Sequence, residues 1–471
     1  MSLRFIDICA GLGGFNQALS RFGFECVFAS EINEELRENY KKNFPQDSLN
    51  TYGNIREFKH KIPKHDILCA GFPCQPFSKS GHQKGFEDET EGTIFHEILD
   101  ILKKHKPKYI FLENVGNFER HDSGRTWQIV KNHLTSLGYN IRGTTHIGSG
   151  GSGLLSPHHL GFPHHRERFF IIGSLDYDLP EDPFPKKNNQ PLIPLKHYIK
   201  SFRDLSKVER SETKLSEKQT ECIDHWNKLL TKLPKDRNCL PSFPIWSDEF
   251  EATYPFENST PYVTPIKELR RSLRMFPLKN KMSRDELLEF LPNYARTPTE
   301  NFPEWKVKLI RKNRNWFCEH SDYFDKEWLE TLRKFPPSLR KLEWNCHGEK
   351  PDLWKYILQF RPSGLRIKRY SFIPSLVAMT ETQIPILGPK KRFLSRTEGL
   401  LLLGFSDSHT LPISRASAFT ALGNGIHVDV VSSIFASILS YSNSDNFTKT
   451  NSRRNSKHNS IILPINHELA S

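Results

Sequence analysis

Phe5-Ile6-Asp7-Ile8-Cys9-Ala10-Gly11-Leu12-Gly13-Gly14-Phe15 reads as a short apolar strand, a glycine turn and the start of a helix that runs on through Ala18, Leu19 and Phe22. Strand, glycine turn and helix in that order form the opening unit of a nucleotide-binding α/β sheet. Glycines let the backbone approach a ligand closely, and the first amides of the helix favour a carboxylate or phosphate. The spacing is Gly-x-Gly-Gly, not the dinucleotide Gly-x-Gly-x-x-Gly, so a nicotinamide cofactor is disfavoured.

Outward from this unit the alternation continues. Phe24–Ser30 predicts a second strand that ends at Glu31. An acid there grips a ribose diol, caps the helix that starts near Asn33-Glu34-Glu35-Leu36, or does both. Gly53-Asn54-Ile55 follows a further helix. Ile67-Leu68-Cys69-Ala70 predicts a buried strand that runs into Gly71-Phe72-Pro73-Cys74-Gln75-Pro76-Phe77-Ser78. Two prolines stiffen this loop and aim one thiol from the C-terminal edge of the strand, where open α/β sheets place their ligands. A thiolate so held is a strong nucleophile; the plainer reading is a cysteine buried in a turn. The stretch from Ser78 to Asp88 is polar, basic and punctuated by glycine, which predicts a mobile loop beside that thiol. A helix through Ile94–Leu102, a strand Lys108–Leu112 ending in Glu113-Asn114-Val115, a helix over about 126–137 and a strand near 139–145 complete the pattern. Arg166-x-Arg168 opens a last strand that continues as Phe169–Gly173.

Composition sets the bounds. The chain has 471 residues, enough for two domains with real cores. Hydrophobic residues make up 37% and charged residues 26%, as in a soluble globular protein. No apolar run approaches a bilayer span, and the first residues lack a secretory pattern, so the cytoplasm is the expected compartment. The eight cysteines include no Cys-x-x-Cys, which argues against a metal site and a disulfide framework. The net charge of +13 points to a polyanionic partner, most simply nucleic acid.

Five pieces in order, Asp7–Phe15, Gly71-Phe72-Pro73-Cys74-Gln75, Glu113-Asn114-Val115, Arg166-x-Arg168 and Leu422-Gly423-Asn424-Gly425, resemble the C5-cytosine DNA methyltransferases. The resemblance covers roughly residues 3–175 and 361–440. It implies a Rossmann-like α/β fold, a mixed and mostly parallel sheet sandwiched by helices, with a smaller target-recognition domain. It implies S-adenosylmethionine as cofactor, held by Asp7, Gly11, Leu12, Gly13, Gly14, Phe15 (against the adenine), Glu31 (on the ribose), Ile32, Asn54, Ile55, Pro73 and Asn424. Cytosine in double-stranded DNA is the implied substrate, flipped out of the helix. Cys74, Glu113, Arg166 and Arg168 are the implied catalytic set. Attack of the Cys74 thiolate on C6 makes C5 nucleophilic, and Glu113, raised by burial, donates a proton at N3. The arginines hold the base, a phosphate or the acid, or else are one exposed face of a strand. Gln75, Ser78 and Lys84 are assigned to DNA.

Three features depart from the family pattern. His164 stands where the family usually has Gln, Asn54 where it more often has Asp, and Phe405-Ser406 where it often has Phe-Pro. Gly148–Gly153 has pure flexible-linker composition and reads equally as a natural loop or an introduced linker.

From 176 to 360 the alternation is lost and proline recurs, which marks the expected recognition domain. Its cations Arg270, Arg271, Lys306, Lys308, Arg311, Lys312 and Arg314, with Trp305 and Trp316 interleaved, suit phosphate contacts; singly, each suits a solvated helix face. Residues 361–441 are expected to return to the first domain, and 442–471 to be a disordered tail. The resulting expectation is a monomeric enzyme of a bacterial restriction–modification system, with a companion restriction endonuclease. The alternatives are an RNA cytosine methyltransferase and a DNA-binding regulator without turnover.

Overall fold

A computed structural model describes residues 2–73, 93–143, 153–175, 179, 183–186, 192–233, 240–378 and 383–450, the last eleven by backbone alone. The chain divides into two compact units. Unit 1 is Met1–Glu212, Ser371–Glu381 and Ser395–Ser471; unit 2 is Thr213–Tyr370 and Thr382–Leu394.

Unit 1 follows the predicted alternation: β1 (Arg4–Ile8), α1 (Gly14–Ser20), β2 (Glu25–Ser30), α2 (Glu34–Asn43), β3 (Thr51–Tyr52), α3 (Ile55–Phe58), β4 (Ile67–Gly71), α4 (Ile94–His105), β5 (Tyr109–Val115), α5 (Arg125–Ser136), β6 (Asn140–Arg142), β7 (Leu154–Leu155), β8 (Arg168–Ser174) and α6 (Lys207–Glu212). The sheet order is β3-β2-β1-β4-β5-β8-β6, with β7 also on β8. Strands β1 to β5 pair in parallel, and β6, β7 and β8 run antiparallel. β1, β4 and β5 are mostly apolar and buried on both faces because helices cover both. The order reverses beside β1, so the carboxyl ends of β1, β2, β4 and β5 surround a crevice.

Unit 2 contains α7 (Glu217–Lys232), β9 (Ile245–Trp246), α8 (Ile266–Ser272), α9 (Arg284–Leu288), α10 (Glu304–Glu319), α11 (Lys326–Arg333), β10 (Lys341–Trp344), β11 (Ile357–Arg361), β12 (Gly364–Lys368), β13 (Ile386–Leu387) and β14 (Arg392–Phe393). Its sheet, ordered β14-β13-β11-β12-β10-β9, is antiparallel except for β10 on β12. A separate core joins Leu269, Leu273, Leu287, Leu288 and Ile310. Unit 1 then resumes with α12 (Arg396–Leu402), α13 (Arg415–Asn424) and α14 (Val428–Thr450).

Three expectations change. The boundary placed at 175/176 falls at Glu212, because residues 195–212 stay tied to α12. Glu398 accepts from the Lys200 amide at 2.9 Å, Glu209 from the Thr397 amide at 3.0 Å, and Arg396 pairs with Glu212. The return expected at 361 begins at Ser371 and is interrupted, since the β11–β12 hairpin and the β13–β14 pair belong to unit 2's sheet. The tail expected from 442 is helical to Thr450. The stretch 441–450 holds no Gly or Pro, so each added residue extends the helix by one hydrogen bond.

Among the described residues, Arg415–Leu439 is long and apolar enough by composition to cross a membrane. It is broken between α13 and α14. Its apolar side chains Leu422, Val431, Ile434 and Phe435 are buried, with Phe435 edge-on to Phe111 at 4.8 Å. It is the helical closure of unit 1's core.

Candidate active site

A cleft of about 650 Å³ opens at the carboxyl ends of unit 1's strands. The turn after β1 forms its floor. Gly11 and Gly13 have φ of +54° and +80°, values that side-chain-bearing residues adopt only with strain. Gly14 packs against the joint after α13, where an added Cβ would lie 3.1 Å from Ile426 Cβ.

Glu31, just past β2, is 8% exposed and pinned at both oxygens. The Gly11 amide donates to Oε2 and the Asn33 amide to Oε1, each at 2.9 Å. It is not the helix cap, because Asn33 performs that role by accepting from the Leu36 amide. The carboxylate is thus oriented before any ligand arrives, with lone pairs left for a diol. Asn54 caps α3, and with Ile55 it lines the far wall.

Glu113 lies within β5, two residues before its end, and lines the same cleft. Arg168 Nε stands 2.8 Å from Glu113 Oε1. Burial pushes the Glu113 carboxyl above its ordinary range, and Arg168 and Arg166 oppose that shift. Asn114 fixes the end of β4 by donating to the Phe72 carbonyl at 3.0 Å. Pro73 lines the cleft; Cys74, Gln75, Ser78 and Lys84 lie outside the described residues. Cys9 is the one cysteine among the described residues that lines the cleft. Its thiol is pushed up to about 12 by burial, with Glu31 and Asp7 adding to the shift, so it stays protonated.

The cleft gathers Gly11, Leu12, Gly14, Glu31, Ile32, Asn54, Ile55, Pro73, Glu113, Arg168 and Asn424 of the predicted set. It does not gather Asp7, Gly13, Phe15 or Arg166. Asp7 is buried inside β1, and burial drives its carboxyl well above the usual aspartate range. Phe15 turns inward, edge-on to Phe111 at 5.3 Å. Gly13 caps α1 with its back to Phe44, where a Cβ would meet the ring at 2.2 Å. Arg166 is 1% exposed and donates to the Gly423 carbonyl at 2.7 Å. Gly423 in turn admits no side chain, since a Cβ would lie 2.5 Å from the Ala378 amide nitrogen. These four residues build the wall from behind.

Sequence reading missed Leu36, Arg56, Thr420 and Ile426, which also line the cleft. Leu36 lies three residues after Asn33 and Thr420 four before Asn424, so helical spacing was the available signal. His164 is fully buried, its Nδ1 3.0 Å from the Leu402 carbonyl, and burial holds it neutral. That is a packing role, away from the cleft.

The basic set in unit 2 also needs correction. Lys306 is 8% exposed, and its ammonium donates to the Tyr294 carbonyl at 2.8 Å and to Thr297 Oγ1 at 3.2 Å. Arg314 pairs with fully buried Glu249 at 3.0 Å and stacks on Tyr254 and Phe256. Lys306 is buried and Arg314 half-buried because the interior holds acceptors for them. Arg270 donates to the Lys279 carbonyl, Lys308 pairs with Glu304 and Arg311 with Glu257. Arg271, Lys308, Arg311 and Lys312 are exposed.

Comparison with known proteins gives the family. The family model "C-5 cytosine-specific DNA methylase" matches residues 3–440. The type II methyltransferase M.AluI of Cellulosimicrobium cellulans is 30% identical over 91% of this chain and 90% of its own length. M.HhaI of Haemophilus parahaemolyticus is 46% identical over 36% of this chain and 48% of its own. Among solved structures, an S. pombe Dnmt2 methyltransferase aligns over 94% of this chain and 99% of its own, with 16% identity and a TM-score of 0.45. With a family match over nearly its whole length, this chain belongs to the C-5 cytosine-specific DNA methylases.

Proposed function

We propose a division of labour for the reaction that family membership fixes, methylation of cytosine C5 in DNA as in the type II restriction–modification methyltransferases. The cleft suits S-adenosylmethionine. Glu31, oriented by two backbone amides, is the ribose ligand; Gly11 and Leu12 offer backbone for close approach; Asn54 and Ile55 meet the adenine; Asn424 closes the side formed by the C-terminal return. Bound there, the cofactor supplies an electrophilic methyl group.

The Cys74 thiolate adds to C6 of a flipped cytosine, and the electron density displaced from the C5–C6 bond makes C5 nucleophilic. Glu113, whose carboxyl burial pushes above its ordinary range, donates at N3 as charge develops there. Arg168 holds the Glu113 carboxyl in place, and Arg166 fixes the Gly423 backbone behind Asn424. After methylation the C5 proton passes to solvent water, the Cys74 thiolate leaves C6 and the N3 proton returns to Glu113, which restores the aromatic ring and the acid. Unit 2 is the target-recognition domain. The protein acts as a monomer in the bacterial cytoplasm, beside a separate restriction endonuclease.

The observation that carries this reading is the shared cleft wall: a pinned carboxylate for a diol on one side, and a buried acid two residues from a strand end on the other. Labelled methyl transfer to duplex DNA and to structured RNA tests it, with Cys74→Ala and with 5-fluorocytosine DNA. Transfer to duplex DNA, a denaturant-resistant adduct with the fluorinated duplex and no transfer by Cys74→Ala are expected. Normal turnover by Cys74→Ala, or a preference for RNA, would overturn it.

A further inference from the structure

The turn that floors the cleft is held from behind by a residue 397 positions later in the chain. His409 Nε2 lies 3.0 Å from the Leu12 carbonyl. The acceptor is a carbonyl, so Nε2 carries the proton. The imidazole is buried between Phe405, with ring centres 4.5 Å apart, and Phe44, at 5.8 Å and edge-on. Burial lowers its ionisation to about 4, so the donor is a neutral ring. The next residue extends the grip. The Thr410 amide donates to Asn43 Oδ1 at 2.7 Å, Thr410 Oγ1 donates to the same oxygen at 2.9 Å, and Asn43 Nδ2 donates to the Thr410 carbonyl at 3.1 Å. Two successive residues therefore tie the glycine turn and the end of α2 to one segment.

We propose that His409 is a positioning residue for the methyl donor: through the Leu12 carbonyl it holds the glycine turn in its ligand-ready form without touching the ligand. This rests on the reading that the cleft binds S-adenosylmethionine. Gly11, Gly13 and Gly14 give the turn more backbone freedom than any other residue type would. Within the backbone it is held by the Gly13 amide donating to the Ala10 carbonyl at 2.7 Å and the Ala10 amide donating to the Ser30 carbonyl at 3.0 Å, and two side chains pin it further. On the cleft side the Gly11 amide is bonded to Glu31, and on the far side the Leu12 carbonyl is bonded to His409. Losing the second pin lets the turn relax locally while the sheet stays folded. The cost of ordering it then falls on ligand binding.

The test compares His409→Leu, which fills the space without a donor, with His409→Gln, which keeps one. Dissociation constants for S-adenosylmethionine are measured by calorimetry without DNA. Donor KM and kcat at saturating duplex, and amide exchange over Gly11–Gly14, are measured alongside. His409→Leu should raise the donor Kd and KM roughly five- to fiftyfold, the range for stranding a buried acceptor. Its kcat at saturating donor should stay within about threefold, its DNA affinity should be unchanged, and exchange in the turn should quicken. His409→Gln should return the donor Kd to within about threefold of the parent, given one neutral donor for another.

A lower melting temperature with unchanged donor affinity would overturn the inference, and so would a Gln variant as weak as the Leu variant. Should His409→Leu not fold, Thr410→Val, which removes only a hydroxyl from the same segment, takes its place. It should weaken donor binding by about two- to fivefold, as for one lost hydrogen bond, and no change overturns the inference. A parent protein that fails to bind S-adenosylmethionine overturns the reading of the cleft and this inference with it. A parent that binds, with His409→Leu binding equally well, overturns this inference alone.

Discussion

Two buried glutamates, one in each unit, face similar surroundings and are treated differently. Glu249 in unit 2 is wholly buried and every oxygen has a donor: the Tyr254 and Tyr294 phenols meet Oε1, and Arg314 Nε meets Oε2. Glu113 in unit 1 is 6% exposed and has a guanidinium on one oxygen only. Its Oε2 stands over Gly71, where an added Cβ would sit 3.5 Å away, on the wall of the cleft. A fully satisfied carboxylate has nothing left to offer a ligand and serves as a structural anchor. An under-satisfied one, its carboxyl raised by burial, has an oxygen free to meet a ligand. The number of donors around each acid, not its burial, separates the anchor from the reagent.

This contrast can be broken most sharply at Glu113. Glu113→Gln keeps the shape and one donor but cannot transfer a proton. Single-turnover methylation should fall roughly 10²–10⁴-fold, the range for general acid catalysis, with DNA binding and unfolding free energy close to the parent. The parent's rate should fall as pH rises through the raised Glu113 value, because the proton is then lost, and the variant should lack that limb. A rate within a few fold of the parent would make Glu113 a second anchor.

Glu249→Ala should show the opposite split. It strands Arg314 and two phenols in the interior, which costs about 3–5 kcal/mol, the range for breaking a buried ion pair. Denaturant unfolding would measure it. If stability holds within about 1 kcal/mol, the cluster is not the anchor its geometry implies.

The smallest effect concerns the exposed cations beside that cluster. Neutralising Lys308, Arg311 and Lys312 together should change stability by less than about 1 kcal/mol, as for solvent-exposed pairs. The salt slope of DNA binding should become shallower by about 0.9 for each of them that meets a phosphate. Lys306→Met should behave in reverse, lowering stability and leaving the slope alone. Identical slopes in parent and triple variant would remove these three from the DNA interface.

The same contrast explains what could be read from the chain alone. The strand tips and the glycine turn of unit 1 were legible because their signals are local: an apolar run, a glycine, an acid, all within about ten residues. Such signals mark Gly11, Glu31 and Glu113, the resemblance adds Asn54, and the cleft gathers all four. What escaped depends on partners far along the chain. Lys306 and Arg314 look like any surface cation until Tyr294, Thr297 and Glu249 fold around them. Phe15, assigned to the adenine by resemblance alone, packs edge-on against Phe111, a contact no local pattern shows. The unit boundary at Glu212 rests on Arg396, Thr397 and Glu398, which no local pattern near 176 could reveal.

The interruption of unit 1 by unit 2 also fixes an order in time. During synthesis, all of unit 2 up to Leu394 emerges before α12, α13 and α14 exist. The strands of the first sheet can pair early, but Ile426, Asn424 and His409 reach the glycine turn only when the chain is nearly complete. Contacts of such long sequence separation form late, because the loop they close must be ordered first. Until then the first half displays an apolar face that Phe435, Val431 and Ile434 later cover. The nascent protein therefore carries an open, adhesive half-domain through most of its synthesis. Its yield should depend more on temperature and elongation rate than its finished stability suggests.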